Sequence, residues 1–447
     1  MKLFFASLGC DKNLVDSEVM LGLLNRHGCV LTDDESQADV IIVNTCCFIG
    51  DAKEESIETI LELSRQKQEG SCRALIVTGC LAERYREEVL AELPEVDAVV
   101  GTASYDKICE VLDEVMGDIT RQIRCLEDQN RLPQTSGPRL LTTGGHYAFL
   151  KIAEGCDKHC TYCIIPKVRG RYRSVPMERL LQEARELVSG GVRELILVAQ
   201  ETTLYGVDLY GRKMLPELLL RLAQIPELVW IRIQYCYPEE ITEELIRVMA
   251  QEPKICRYLD IPIQHASDPV LKRMGRRTRK AELVSIIERL RAELPDIALR
   301  TTLIAGFPGE TPEDHEENLA FVDEIEFERL GVFAYSREED TPAAEMPDQI
   351  DESVKEQRRD ELMELQQDIA YEKAQSMIGR HLTVMIEGYL SADHTYVGRT
   401  YMDAPDVDGY IFVQSDAELV SGDFVPVVVT GAVEYDLIGE IDDEFAE

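Results

Sequence analysis

A single tryptophan and seven histidines serve a chain of 447 residues, and 47 lysines and arginines face 84 aspartates and glutamates. The formal net charge of -37 argues against a generic nucleic-acid binder, because phosphate contacts need lysine and arginine. It leaves room for a local basic patch, serves solubility and suits attraction to a strongly basic partner. No apolar run approaches the ~20 residues that cross a bilayer. The stretch Met1 to Cys10 superficially resembles a lipoprotein signal, but its apolar segment is too short. It reads as a first strand, and the expected location is the cytoplasm.

The chain is not poor in cysteine: it has 13. In a large chain without a recognisable export signal, clustered cysteines point to metal or redox chemistry rather than disulfides. Cys156, Cys160 and Cys163 lie in the spacing C-x-x-x-C-x-x-C, directly after the apolar run Tyr147–Ile152. Three thiolates on a tight loop can hold three irons of a cubic cluster and leave the fourth open to bind and activate a ligand. The competing reading is a zinc knuckle, which needs a fourth ligand. His159, inside the loop, is the nearby candidate.

Residues 1–125 alternate short apolar strands (Leu3–Ala6, Val40–Val43, Leu75–Val77) with helical segments at Ser17–Asn25, Ala52–Gln66 and from Ala82. This rhythm implies a doubly wound parallel sheet, whose ligands gather at strand carboxyl ends. Cys10, Cys46 and Cys80 sit there and could converge on a second cluster. Cys47 competes with Cys46, since spacing cannot separate neighbours. Cys29, Cys72, Cys109, Cys125, Cys236 and Cys256 read as small buried hydrophobes.

Residues 126–145, rich in proline, glycine and threonine, read as a linker. From 146 to 375 the alternation resumes with strands Ala148–Ile152, Glu194–Ala199, Trp230–Ile233, Tyr258–Ile261, Ala298–Thr301 and Gly331–Ala334. The first helix is expected to start with Pro176 in its first turn and to run to Ser189. A parallel (β/α) barrel of the TIM type, or part of one, follows, with its chemistry at the strand carboxyl ends. Gln200, Glu201, Tyr235 to Tyr237, Gln264, His265, Arg300 to Thr302, Tyr335 and Ser336 fall there. Gln200, Gln264 and Arg300 are the candidate cofactor contacts. Gly306 and Gly309, in the loop Ala305–Glu310, allow close backbone approach to a ligand, though a plain turn explains them equally. A charged helix spans Ser353–Met377. Residues 376–447 carry short strands split by turns, as in a small antiparallel barrel. From Arg380 onward two basic residues face fifteen acidic ones, a net of -13, so direct nucleic-acid binding by this barrel is not expected.

The stretches Ser7–Glu18, Asn44–Cys46, Thr78–Cys80, Glu154–Cys163 with Ile164–Pro166 and Arg169–Gly170, Pro262–His265 and Gly306–Glu310 together resemble the radical S-adenosylmethionine (SAM) methylthiotransferases. The resemblance covers essentially the whole chain and implies a methylthiotransferase domain, a radical SAM barrel and a TRAM domain. It implies that Cys156, Cys160 and Cys163 ligate the radical SAM 4Fe–4S cluster. Cys10, Cys46 and Cys80 would ligate an auxiliary one, which favours Cys46 over Cys47.

Lys12–Glu18 and Tyr235–Glu240 are similar to the branch that modifies the β-carbon of one aspartate in ribosomal protein S-twelve, rather than to the branches that modify tRNA adenosines. Asp11 departs from the proline common among relatives. The implied needs are two SAM per turnover, an external reductant such as flavodoxin or ferredoxin, and a sulfur source. The implied partner is the basic small-subunit protein, free or in the subunit, and no membrane is involved. The alternatives are a tRNA methylthiotransferase and a non-catalytic iron–sulfur or zinc scaffold on the ribosome.

Overall fold

The computed structural model describes residues 1–118, 121–134, 137 and 139–442. Its first sheet contains β1 (Lys2–Ser7), β2 (Val30–Leu31), β3 (Val40–Thr45), β4 (Ala74–Gly79), β5 (Ala98–Val100) and β6 (Ile123–Cys125), in the order β2-β1-β3-β4-β5-β6. All five pairings are parallel. Every residue of β3 and β4 is buried, which is why both read as unbroken apolar runs rather than alternating ones. Ile41, Val43, Leu75 and Val77 pack on one face; Val40, Ile42, Ala74 and Ile76 pack on the other. The strand order reverses between β1 and β3, and ligands of such sheets collect at that switch point.

The first helix is longer than expected, Asp11–Arg26. Its first turns bury Lys12, Asn13, Asp16, Ser17 and Glu18, so the side that faces the protein is polar and hides the helical period from a hydrophobicity reading. The helix therefore starts directly after Cys10, and another starts at Cys80 itself.

Residues 126–134, 137 and 139–146 form no helix or strand, yet they are pinned in place. Thr142 N donates to Glu18 Oε1 at 2.8 Å and Leu140 N donates to the Glu18 carbonyl at 3.0 Å.

The second sheet comprises β7 (Tyr147–Lys151), β10 (Glu194–Val198), β11 (Trp230–Ile233), β12 (Ile255–Asp260), β13 (Ala298–Ala305) and β14 (Arg329–Ala334), ordered β14-β13-β12-β11-β10-β7. A short antiparallel pair, β8 (Ala153–Glu154) with β9 (Arg173–Ser174), lies between β7 and β10 in the chain. The six parallel strands make an open partial barrel. Leu150, Leu197, Ile233 and Leu259 face the surrounding helices. The helix after β9 is Met177–Ser189, with Pro176 as its N-cap rather than in its first turn.

The third sheet is a closed barrel of β15 (His381–Leu390), β16 (Thr395–Arg399), β17 (Ile411–Gln414), β18 (Phe424–Val433) and β19 (Asp436–Ile441), reached through the long helix Glu352–Ser376. It is not wholly antiparallel, because β17 pairs with β19 in parallel. This barrel covers the other face of the second sheet: Tyr147, Phe149, Ile196, Val198, Trp230 and Tyr258 share one apolar cluster with Val384, Met385, Ile411 and Val427. Three of the barrel's acids also turn inward. Asp403 pairs with Arg329, Asp408 with Arg300, and Glu387 with Arg399.

Candidate active site

The cysteine loop leaves β8 through Gly155, at φ +78°, where a Cβ would overlap the Arg171 carbonyl oxygen. A side chain here would push the loop off the backbone it rests on. Cys156 N donates to the Gly170 carbonyl at 3.1 Å, and Cys163 N donates to the Cys160 carbonyl at 3.1 Å. The thiols turn inward. Lys158 N donates to Cys156 Sγ at 3.4 Å, and the Tyr237 hydroxyl lies 3.4 Å from Cys160 Sγ. Arg276 sits 4.3 Å from the Tyr237 ring centroid. Burial pushes the Cys156 thiol up to about 12, with Cys160 adding to the rise, and pushes Cys163 well above the usual thiol range. Buried thiols of this kind stay protonated at neutral pH unless a strong cation compensates the thiolate, as iron does.

Cys10 and Cys46 follow β1 and β3, the strands that flank the order reversal, and Cys80 follows β4 beside them. Gly9, at φ +90°, lies against Cys46: a Cβ on it would stand 2.8 Å from the Cys46 Cβ. Burial raises the Cys80 thiol above the ordinary range; Arg169 works against that rise, while Cys47, Cys46 and Cys10, in that order, add to it. The surrounding polar residues lock the strand ends together. Asn13 Nδ2 donates to the carbonyls of Leu8 (2.7 Å) and Thr45 (3.1 Å), and Asn44 Nδ2 donates to the Asn13 carbonyl (2.9 Å). Ser56 Oγ bonds both the backbone N–H and the carbonyl of Cys46. Cys47 is packed in the same apolar cluster as Cys80 and faces Arg84; burial pushes its thiol up to about 12.

Among the described residues, no three His, Cys, Asp or Glu side chains are gathered closely enough to hold one metal ion. Two sets of three thiols, five of them buried or half-shielded and Cys10 exposed, offer the donor chemistry of a multi-iron body with a vacant corner.

One buried network lies between the two sets. Arg169, 2% exposed, reaches Cys80 Sγ (3.4 Å) and Asn13 Oδ1 (2.6 Å) with Nη2, and Asp16 (2.7 Å) and Glu154 (3.2 Å) with Nη1. Lys151 pairs with the same two carboxylates. Gln200 Nε2 donates to Glu154 Oε1 at 3.0 Å, and its own buried Oε1 has no partner. Next to it Glu201 is fully buried, one oxygen accepting from Thr203 and the other without a partner. The N-terminal sheet is closed over the strand ends from both sides. Lys12 Nζ stands 3.2 Å from the Tyr235 ring centroid, and Arg84 bonds Glu338 at 3.1 Å.

The other expected contacts lie elsewhere. Gln264 has a left-handed backbone, φ +74°, and bridges to Leu303. Arg300 spends its guanidinium on Asp260 (3.1 Å) and Asp408 (3.3 Å), tying sheet to barrel. The space beside Gly306 is filled by Lys355 and that beside Gly309 by Arg273, so these glycines serve packing of the loop. His265 is fully buried, its Nδ1 accepting from Ser267 N. Arg169, Glu154 and Lys12 lie in the stretches that carry the family resemblance, but sequence reasoning assigned none of them a role at the site.

Residues 2–101 match the uncharacterized protein family UPF0004, residues 150–322 the radical SAM superfamily and residues 378–441 the TRAM domain. The chain is 66% identical over 439 residues to the ribosomal protein uS12 methylthiotransferase RimO of Lachnoclostridium phytofermentans, covering 98% of this chain and 99% of that protein. The chain belongs to the RimO family of radical SAM methylthiotransferases. RimO of Clostridioides difficile is 50% identical, with 99% of each chain covered, and RimO of Geobacter sulfurreducens is 51% identical, with 98% of each covered. In fold, the RimO-family chain is similar to the radical SAM methyltransferase TsrM of Kitasatospora setae, with a TM-score of 0.56 at 15% identity over 76% of each chain. This RimO-family protein is thus an enzyme, and family membership sets aside the non-catalytic scaffold. No helix among the described residues is long and apolar enough to cross a membrane.

Proposed function

We propose that this enzyme transfers a methylthio group to the β-carbon of one aspartate of ribosomal protein uS12, in the cytoplasm. The full-length 66% identity to a RimO methylthiotransferase carries this reading. The domain plan is 1–125, 126–145, 146–375 and 376–447. Cys156, Cys160 and Cys163 would hold the radical SAM 4Fe–4S cluster, and Cys10, Cys46 and Cys80 the auxiliary one. An aspartate β-carbon has no acidic proton for a base to take; the clusters with SAM supply one-electron C–H activation and a transferable methylated sulfur.

The chain's own residues do the rest. Gly155 and the Gly170 carbonyl set the loop so that three thiols face one space. Asn13, Asn44 and Ser56 hold the strand ends that lead to Cys10 and Cys46. The partnerless Gln200 Oε1 is an acceptor for the amino group of SAM. Lys12 on Tyr235 and Arg84 on Glu338 close the N-terminal sheet over that mouth and exclude water from it. The partner is a basic protein rather than RNA, in keeping with a net charge of -37. A flavodoxin- or ferredoxin-like donor supplies electrons.

Mass spectrometry of ribosomal proteins from cells lacking the gene tests the substrate. Loss of a methylthio increment on uS12 is expected. Reconstituted enzyme that thiomethylates tRNA and ignores uS12 would overturn the reading.

A further inference from the structure

The family assignment gives each cysteine set a cluster but says nothing of what lies between them. Arg169 joins the two sides and also reaches a cysteine sulfur. It comes from the turn after the cysteine loop, yet its Nη2 lies 3.4 Å from Cys80 Sγ and 2.6 Å from Asn13 Oδ1, both in the N-terminal sheet. Its Nη1 holds Asp16 of that domain and Glu154 of the central one. At 2% exposure the charge is not screened by water. Around it the ionised groups balance, Arg169 and Lys151 against Asp16 and Glu154.

We infer that Arg169 is a positioning residue that sets the reduction potential of the auxiliary cluster, through its charge and its hydrogen bond to Cys80 Sγ. The inference rests on the reading of Cys10, Cys46 and Cys80 as ligands. Reduction adds negative charge to a cluster, so a buried cation and a donor to a ligating sulfur favour the reduced form and raise the potential. Removing Arg169 leaves the surroundings one charge more negative. Neutralising Glu154 leaves them one charge more positive. The two changes push in opposite directions, which a role confined to folding would not do.

The test uses the anaerobically reconstituted full chain with Cys156, Cys160 and Cys163 all changed to alanine, so that only the auxiliary site remains. Iron content and an electron-paramagnetic-resonance redox titration are read for this parent, for Arg169→Gln and for Glu154→Gln. In R169Q the reduced-to-oxidised ratio at fixed poise is expected to fall about tenfold, ~59 mV for a one-electron couple; in E154Q it is expected to rise. A parent without iron overturns the ligand assignment itself. Iron-loaded R169Q with the parent's potential, or shifts of one sign in both variants, overturns the role of Arg169. If R169Q takes up no iron, E154Q decides alone, and an unchanged potential there is again an overturning result.

Discussion

Arg399 of the closed barrel places Nη2 2.7 Å from Glu194 Oε2 at the start of β10, and both side chains are fully buried. Arg232 holds the other Glu194 oxygen, also at 2.7 Å, and donates to the Tyr401 carbonyl of the barrel loop. Substituting Arg399→Met takes from buried Glu194 one of its two guanidinium partners and from Glu387 its guanidinium. The expected loss is about 3–5 kcal/mol of stability, the usual cost of breaking a buried pair from one side, measured by denaturant unfolding.

The single tryptophan reports on this junction directly. Trp230 meets Phe424 of the barrel edge to face, with ring centroids 4.8 Å apart. Burial alone would raise Glu194 and Glu387. The facing Arg399, with Arg232 on Glu194 and His146 on Glu387, outweighs it and holds both below the ordinary 4.5. A depressed carboxylate gives its stabilisation in full above the unfolded value and loses it as pH falls through the folded one. Tryptophan fluorescence is therefore expected to stay constant above about pH 5 and to change as pH falls below ~4. Glu194→Gln should flatten part of that change.

The adjacent Cys46 and Cys47 divide sharply in iron binding. Cys47→Ala should keep the full iron content, whereas Cys10→Ala, Cys46→Ala and Cys80→Ala together should halve it and spare SAM cleavage. Replacing Cys156, Cys160 and Cys163 should also halve the iron and abolish SAM cleavage. Iron analysis and detection of 5′-deoxyadenosine check both halves.

Gly155→Ala needs no change of ligand to act. Its Cβ would run into the Arg171 carbonyl at a φ of +78°, so the loop must move. Iron is expected to fall by half, as in the triple variant of that loop, with little change at the other site.

Lys12 on the Tyr235 ring joins two domains in a buried contact. Tyr235→Leu should cost about 2 kcal/mol, the size of a desolvated cation–π pair. SAM cleavage should persist while methylthio transfer falls, since the cysteine loop is untouched and only the closure of the N-terminal sheet is weakened. Paired assays of 5′-deoxyadenosine and modified uS12 separate the two effects.

Much of this was legible in the chain. Fully buried strands such as Val40–Val43 announce themselves as apolar runs, and each of Cys10, Cys46 and Cys80 follows such a run within a few residues. The spacing of Cys156, Cys160 and Cys163 is local, so one loop carries its meaning. The full extent of the first helix was hidden because Asn13, Asp16 and Ser17 are polar residues buried for their hydrogen bonds, which hydrophobic periodicity does not register. Arg300 misled for the related reason that strand-end position says nothing about which carboxylate a guanidinium will find.

Sequence alone thus determined the three sheets, the spacing of the cysteine loop and the acidic balance, because backbone preference, burial pattern and local spacing are properties of short segments. Only the tertiary structure decided that Cys46 rather than Cys47 faces Cys10, that Gly306 and Gly309 are filled by Lys355 and Arg273, and that Arg169 lies between the triads. Those outcomes depend on which side chains meet across tens of residues of chain or more, and no local pattern encodes the partner of a buried charge.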